Sequence, residues 1–449
     1  MTDITRVLAR YVCHSKFDAL PPAIRHEGAR AFVNWAGCAA AGSREPIVDR
    51  ALAVLAEFNG AREATLIGRR EKLDALNATL VNSMSSSALT FNDTHFATVA
   101  HPTSPVAAAL FALAERQPVS GAEFVHALVL GDEIQCRIGN ILCAPPAECQ
   151  VGLSMAGLVG GIGAAAAAGK VMGLDETKMA VALGLAANQS CGLREAHGTM
   201  GSYFTPGHSA RCGLFAALLA ARGFECTETM IEGVKGFAVS FGTRPNLAAA
   251  VEGLGDHFET AALAYKPYPS GFVIHPIADA CLDIAEKNQY EAADIERIEM
   301  TVNPLAVQLC SRPEPKTRNQ ALVSLQHWAA VSLIYKAAGI AELDESVLHA
   351  PEVDALRRKI VATSDPAIGR EAATVRVALR SGRMLEAKVL HCRGSAGRPL
   401  TDDDISVKTR GQLRIAYPDA AAERILKECW RIEHYSRVDV LCKLFALDS

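Results

Sequence analysis

The chain of 449 residues has no C-x-x-C pair among its thirteen cysteines, no internal repeat, no block of like charge and no low-complexity linker. An odd number of scattered cysteines excludes a disulfide framework and offers no iron–sulfur or structural zinc spacing, so reduced thiols in a cytoplasm are expected. A net positive charge is also missing: the balance of −4 argues against bulk nucleic-acid binding. The opening "MTDITRVLARYVCHSK" lacks the apolar core of a secretion signal, which again predicts a cytoplasmic protein.

A convincing membrane span is absent as well. "VGLSMAGLVGGIGAAAAAG" (151–169) has the length for one and no charge, but six residues are Gly and six are Ala, which leaves six large apolar side chains. Small residues let helices approach closely, so a buried core helix is predicted and no membrane partner. The same run contains two motifs that fail on inspection. Gly161, Gly163 and Ala166 fit the dinucleotide pattern G-x-G-x-x-A, but no strand precedes them and Asp175 follows too soon. Gly163 to Lys170 imitates a P-loop with five intervening residues and with Val171 where a hydroxyl is needed.

What is present divides the chain by texture, as its length also suggests. Up to about residue 265 the pattern is helical. Pro22 suits a first helical turn, and Ile24, Gly28, Phe32 and Trp35 follow at helical spacing. Ala- and Leu-rich runs such as "VAAALFALAE" and "ARCGLFAALLAARG" recur between Gly and Pro. Beyond 265, "RIEMTVN" (297–303), "TVRVALR" (374–380) and "MLEAKVL" (384–390) alternate as strands do, the last two joined through Ser381-Gly382 as a hairpin, with helical "LVSLQHWAAVSLIYKAAG" (322–339) between. Helical pattern returns at about 403. The expected fold is mainly α: a large helical domain from 1–265, completed by 403–449, and a smaller α+β domain at 266–402.

Three stretches concentrate chemistry. "FNDTHFATVAHPTSP" (91–105) crowds Asp93, Thr94, His95 and His101 before a helix; they are a cap and a satisfied loop histidine, or one wall of an active site. "GLREAHGTMGSYFTPGHSARCG" (192–213) sets Arg194, His197, Tyr203, His208 and Arg211 among glycines between apolar helices, a surface loop or a cavity lining whose helix-start amides suit a carboxylate. In "YKPYPSGFVIHP" (265–276), Lys266 precedes Pro267 and is pushed toward an extended backbone at the domain boundary, where a cleft or a solvated hinge is expected.

Together these stretches resemble the 2-methylcitrate dehydratase family, also called MmgE/PrpD, whose members include cis-aconitate decarboxylase and iminodisuccinate epimerase. "FNDTHFATVAHPTSPV" is similar to its D-D-x-h…H-P motif, and "GIGAAAAAGKVMGLDETKMAVALGLAANQSCGL" to its alanine-rich helix, G-L-D turn and A-L-G run. "GTM…GHSARCGLFAALLA" is similar to its G-T-M-T-K-P-x-H segment, and "YKPYPSGFVIHPIADA" to its K-x-Y/W-P-S/C…H segment. The resemblance runs over essentially the whole chain. It implies a helical domain from both termini, an α+β lid, a homodimer, no metal or organic cofactor, and an interdomain cleft for small polycarboxylates. It assigns catalysis to Asp93, His101 and Lys266.

The departures are specific. The family's lysine in T-K-P-x-H falls on Ser202, its histidine there on Thr205, and a second histidine before the alanine-rich helix on Ser154. With Thr94, Arg194, His197 and Tyr203, these positions form the expected substrate-binding set. Fewer fixed cations favour a substrate with one or two carboxylates, or with an uncharged polar arm. The expected activity is a lyase of a small carboxylic acid, a dehydratase or decarboxylase working by proton abstraction and elimination. The alternatives are an epimerase, which returns the proton to the other face, and a non-catalytic binder of a metabolite.

Overall fold

The computed structural model describes residues 3–58 and 60–447. Its first part is a stack of helices: α1 Ile4–His14, α2 Pro22–Gly42, α3 Pro46–Leu55, α4 Ala75–Ser87, α5 Thr103–Ala114, α6 Gly121–Cys143, α7 Met155–Val171, α8 Glu176–Ala187 and α9 Gly201–Ala221. Local chemistry sets their starts. Pro22 and Pro46 occupy first-turn positions where a missing N–H costs nothing. The Asp74 and Asp175 carboxylates accept from first-turn amides, and Ser120 with Glu123 closes a capping box.

The small-residue run 151–169 is the axis of this stack. Helix α7 is packed by α5, α6, α8 and α9, and its glycines mark the crossings. A Cβ on Gly213 of α9 would stand 2.2 Å from the Gly161 carbonyl oxygen, and one on Gly163 would stand 2.6 Å from that of Gly131 in α6. The glycines that imitate a nucleotide motif are therefore contact points between backbones. No helix among the described residues is long and apolar enough to cross a membrane.

Two short ribbons interrupt the helices: β1 Ala64–Thr65 with β2 Lys72–Leu73, and β3 Asp93–His95 with β4 Leu263–Tyr265, both antiparallel. The second ribbon joins distant parts of the chain. It pairs Asp93 with Tyr265 and so places residues 92–101 beside Lys266. A short helix, α10 Phe237–Phe241, precedes β4.

The second part is a four-stranded sheet of β5 Ile295–Val302, β6 Ile360–Ser364, β7 Ala373–Leu379 and β8 Met384–Val389, in the order β6-β5-β7-β8. β6 is parallel to β5 and the other pairs are antiparallel. The expected hairpin is β7–β8, with Gly382 at φ +83° in its turn. β6 escaped the sequence because an edge strand carrying Thr363 and Ser364 has no alternation to betray it. Helix α11 His275–Lys287 packs on β7 and β8, and α14 Leu325–Tyr335 packs on α11, with α12 Pro304–Cys310, α13 Arg318–Ala321, α15 Glu345–Leu348 and α16 Pro351–Arg357 around them.

The chain then returns to its beginning. Helices α17 Asp402–Leu413 and α18 Asp419–Trp430 pack on α2, and α19 Asp439–Cys442 leads Phe445 into an aromatic cluster. Phe445 meets Phe111 at 5.6 Å, Phe111 meets Trp35 at 5.5 Å, and Phe32 meets Phe124 at 5.3 Å. One expectation is corrected here. Cys143 and Cys149 form a disulfide, with Cα atoms 4.5 Å apart, because the chain folds back on itself through Pro145 and Pro146 directly after α6. Their spacing matches no disulfide signature, so the sequence did not announce the pair.

Candidate active site

A cavity of about 130 Å³ opens where the helical part meets the sheet-bearing part. Thr94, His101, Ser154, Arg194, His197, Ser202, Tyr203, Thr205 and Lys266 all line it. Four segments far apart in sequence bring them together: the β3–α5 connection, the start of α7, the loop entering α9, and the end of β4. His208 and Arg211 face elsewhere; His208 stacks on Phe204 and Arg211 reaches Asn77.

Asp93 is not on the cavity wall. Its side chain is buried beneath it, and its carboxylate accepts from the Thr103 N–H at 3.1 Å and from Thr103 Oγ1 at 2.9 Å, tying β3 to the start of α5. Thr103 Oγ1 also lies 3.0 Å from Asp132 Oδ2, another fully buried carboxyl group. A hydroxyl has one proton to give, so one of the two carboxyl groups must bring its own. Burial and the Asp93 charge push Asp132 well above the usual carboxylate range, which makes Asp132 the protonated member. Burial also raises Asp93, against the bonds from Thr103.

Asp93 does act on His101, but through its backbone. The His101 Nδ1 donates to the Asp93 carbonyl at 2.8 Å, with Thr94 Oγ1 at 3.2 Å. A carbonyl only accepts, so Nδ1 holds the proton. Burial and the nearby Lys266 charge keep the His101 pKa well below the ordinary imidazole range. His101 is thus neutral, with a bare Nε2 lone pair that has no hydrogen-bond partner among the described residues. His95, by contrast, is a satisfied core histidine between Thr98 and Glu259 at 2.9 Å each.

The wall is rich in positive charge. Lys266 is 1 % exposed, and its Nζ donates to Asn92 Oδ1 at 2.8 Å. Burial pulls it down to about 7, with the Asp93 charge resisting. The Arg194 guanidinium makes no side-chain hydrogen bond or ion pair among the described residues, and burial lowers its pKa. His197 is pulled down to about 4 by burial and by Arg194 and Arg312. Ser154, Met155 and Ala156, at the N-terminus of α7, also face the cavity, and the Ser154 side chain does not cap its own helix. First-turn amides that lack helical acceptors carry a partial positive charge suited to an anion. Tyr203 is buried with an unpartnered hydroxyl.

Some wall residues had no signal in the sequence, Arg370 and Cys310 among them. These two come from the sheet-bearing part, on the β6–β7 turn and the end of α12. Only the folding of those elements over the helical part brings them in. His275, in the "IHP" segment, is fully buried behind the wall, stacked on the cavity-lining Phe272 at 4.6 Å with both ring nitrogens unpartnered.

The whole-chain comparisons agree with this architecture. Residues 6–249 match the MmgE/PrpD N-terminal domain and residues 268–432 the MmgE/PrpD C-terminal domain. The chain is 24 % identical over 414 residues to a cis-aconitate decarboxylase of Aspergillus terreus, covering 86 % of this chain and 84 % of that one. It is 25 % identical over 388 residues to the cis-aconitate decarboxylase of Homo sapiens, covering 83 % and 80 %. The Mus musculus protein of the same name is 24 % identical over 404 residues, covering 86 % and 82 %.

Proposed function

The chain belongs to the MmgE/PrpD family, and on that premise we propose that it is a cofactor-independent lyase of a small carboxylic acid, working by proton abstraction and elimination. The observation that carries this reading is the neutral His101. Its Nε2 lone pair is free in a cavity whose cations, Arg194 and Lys266, have no carboxylate partner among the described residues. A substrate carboxylate bound by those cations and by the α7 amides acidifies the adjacent C–H bond. Nε2 takes that proton, and the charge that builds on the carboxylate is met by donors already in place. Lys266, poised near neutrality, is suited to hand a proton to the leaving group. Thr94, Ser154, Ser202 and Thr205 supply uncharged hydroxyls for the rest of the substrate, while Tyr203 lines the cavity with its hydroxyl buried away from it.

Loss of water completes that abstraction; loss of CO2, the reaction in the relatives' name, instead breaks a C–C bond whose electron pair stays on the carbon skeleton and is met there by a proton from Lys266. The purified protein is to be assayed against 2-methylcitrate, cis-aconitate and a panel of mono- and dicarboxylic hydroxy and amino acids. A new C=C absorbance or release of CO2 supports the lyase. A change of optical rotation alone makes the protein an epimerase, and binding without turnover makes it a non-catalytic member. We also propose a homodimer. Phe204 and Phe215 lie on one exposed face of α9, 48 % and 43 % exposed, with Leu193 nearby in the entering loop. A monomer by light scattering at micromolar concentration refutes it.

A further inference from the structure

We infer that Arg370, on the turn between β6 and β7, selects substrates that carry a second carboxylate by binding that group from the sheet-bearing side of the cavity. This rests on the reading of the cavity as a carboxylate site and adds a residue and a charge requirement to it.

Arg370 lines the cavity and reaches across to the helical part, where its Nη1 donates to the Phe96 carbonyl at 2.7 Å. That bond uses one of five N–H donors. No carboxylate pairs with the guanidinium among the described residues; the neighbouring Glu371 is engaged by His391 at 2.8 Å. None of the remaining Arg370 nitrogens is a buried orphan, so they stay open to an incoming anion. The Arg370 guanidinium is half-buried, enough for burial to lower its pKa, and its fork of donors matches a carboxylate. A latch to Phe96 does not explain it, because Phe96 already packs edge-on against Phe272 at 4.3 Å and closes the same seam.

Charge balance points to two carboxylates. Arg194 and Arg370 are permanent cations without anionic partners, contributed by opposite parts of the fold. A monocarboxylate would leave one of them unmatched. A dicarboxylate matches both and leaves Lys266 free to exchange its proton. Phe96 belongs to the same connection as His101, so a carboxylate seated on Arg370 also steadies the wall that holds the base.

The test measures binding without turnover. Malonate, succinate and glutarate, each beside its monoamide, are titrated calorimetrically into wild type, Arg370→Gln and Arg370→Lys. Wild type should bind at least one diacid about 10- to 100-fold more tightly than its monoamide, the range of a charge-assisted hydrogen bond. Arg370→Gln should weaken that diacid by the same factor and the monoamide by less than about threefold. Arg370→Lys should fall between, since it keeps the charge without the fork. A latch role would weaken acid and monoamide equally. Equal weakening, or a wild type without preference for any diacid, overturns the proposal. Diacid selectivity that depends on Arg370, in a protein that turns over nothing, would leave this inference standing and defeat the lyase instead.

Discussion

Binding of a carboxylate at this site should draw a proton onto Lys266. The free protein holds this side chain 1 % exposed with a single side-chain acceptor, Asn92, and burial lowers its pKa from 10.5 to about 7. At pH 8 roughly a tenth of the free protein is therefore protonated there. A carboxylate within reach raises such a pKa by about one to three units. Two units bring the protonated fraction to about 0.9, so binding takes up about 0.8 proton at pH 8 and only about 0.1 at pH 6. Burial and the Lys266 charge hold His101 well below the ordinary imidazole range, so it starts neutral, and the Lys266→Met variant separates its share from that of Lys266. The assay is calorimetric titration of a bound diacid in buffers of different ionisation enthalpy, whose slope counts protons. Lys266→Met should abolish the uptake. Fewer than about 0.3 proton taken up by wild type at pH 8, or equal uptake by Lys266→Met, refutes the assignment.

The same burial has a cost in stability with a definite sign. Between about pH 7 and 10.5 the unfolded chain keeps the Lys266 proton while the native state has lost it, so stability rises with pH through that window. Below about 7 both states are protonated and the cost is fully present. The shift corresponds to roughly 5 kcal/mol as an upper bound. Lys266→Met should therefore raise the melting temperature at pH 6, with a gain that fades toward pH 10, while weakening carboxylate binding. A stabilising substitution that damages binding marks a residue kept for chemistry rather than for the fold.

Three further outcomes are expected from the geometry. His101→Ala should lower turnover by about 10² to 10⁴, the worth of a positioned acid–base group; unchanged turnover in a folded variant removes His101 from the mechanism. Asp132→Asn, which imitates the protonated acid beside Thr103, should shift chemical denaturation by less than about 1 kcal/mol near neutral pH, whereas Asp132→Ala should cost about 1–3 kcal/mol; equal losses would show that no proton is held there. Phe445→Ala should cost about 3–5 kcal/mol, seen as a lower denaturation midpoint at constant slope, because it opens a cavity against Phe111 and Tyr417; a surface-like loss below about 0.5 kcal/mol would mean the end of the chain does not complete the helical core.

Much of the architecture was legible because its signals are local. Pro22 acts within one turn of the chain, and the strand pattern of 374–390 needs only its own alternation and Gly382. The crowding of Asp93, Thr94 and His101 before a helix, and of Arg194 to Thr205 among glycines, flagged segments that do meet at one cavity. The sequence also bounded the electrostatics. It places Ser154, Ser202 and Thr205 where the resemblance leads one to expect two histidines and a lysine.

Tertiary structure alone decided which atoms face the cavity. The pairing of β3 with β4 turns Asp93 inward onto Thr103, so the residue that a motif would make a base contributes a backbone carbonyl that fixes the His101 tautomer. Arg370 enters only because the β6–β7 turn is laid over the helical part, 269 positions in sequence from His101. Cys143 and Cys149 bond because a turn after α6 sets them side by side. Propensity, capping and alternation act over a few residues, so one chain can be read for them. Burial, proton inventory and unpaired charge are properties of neighbours in space, and no spacing along this chain encodes them.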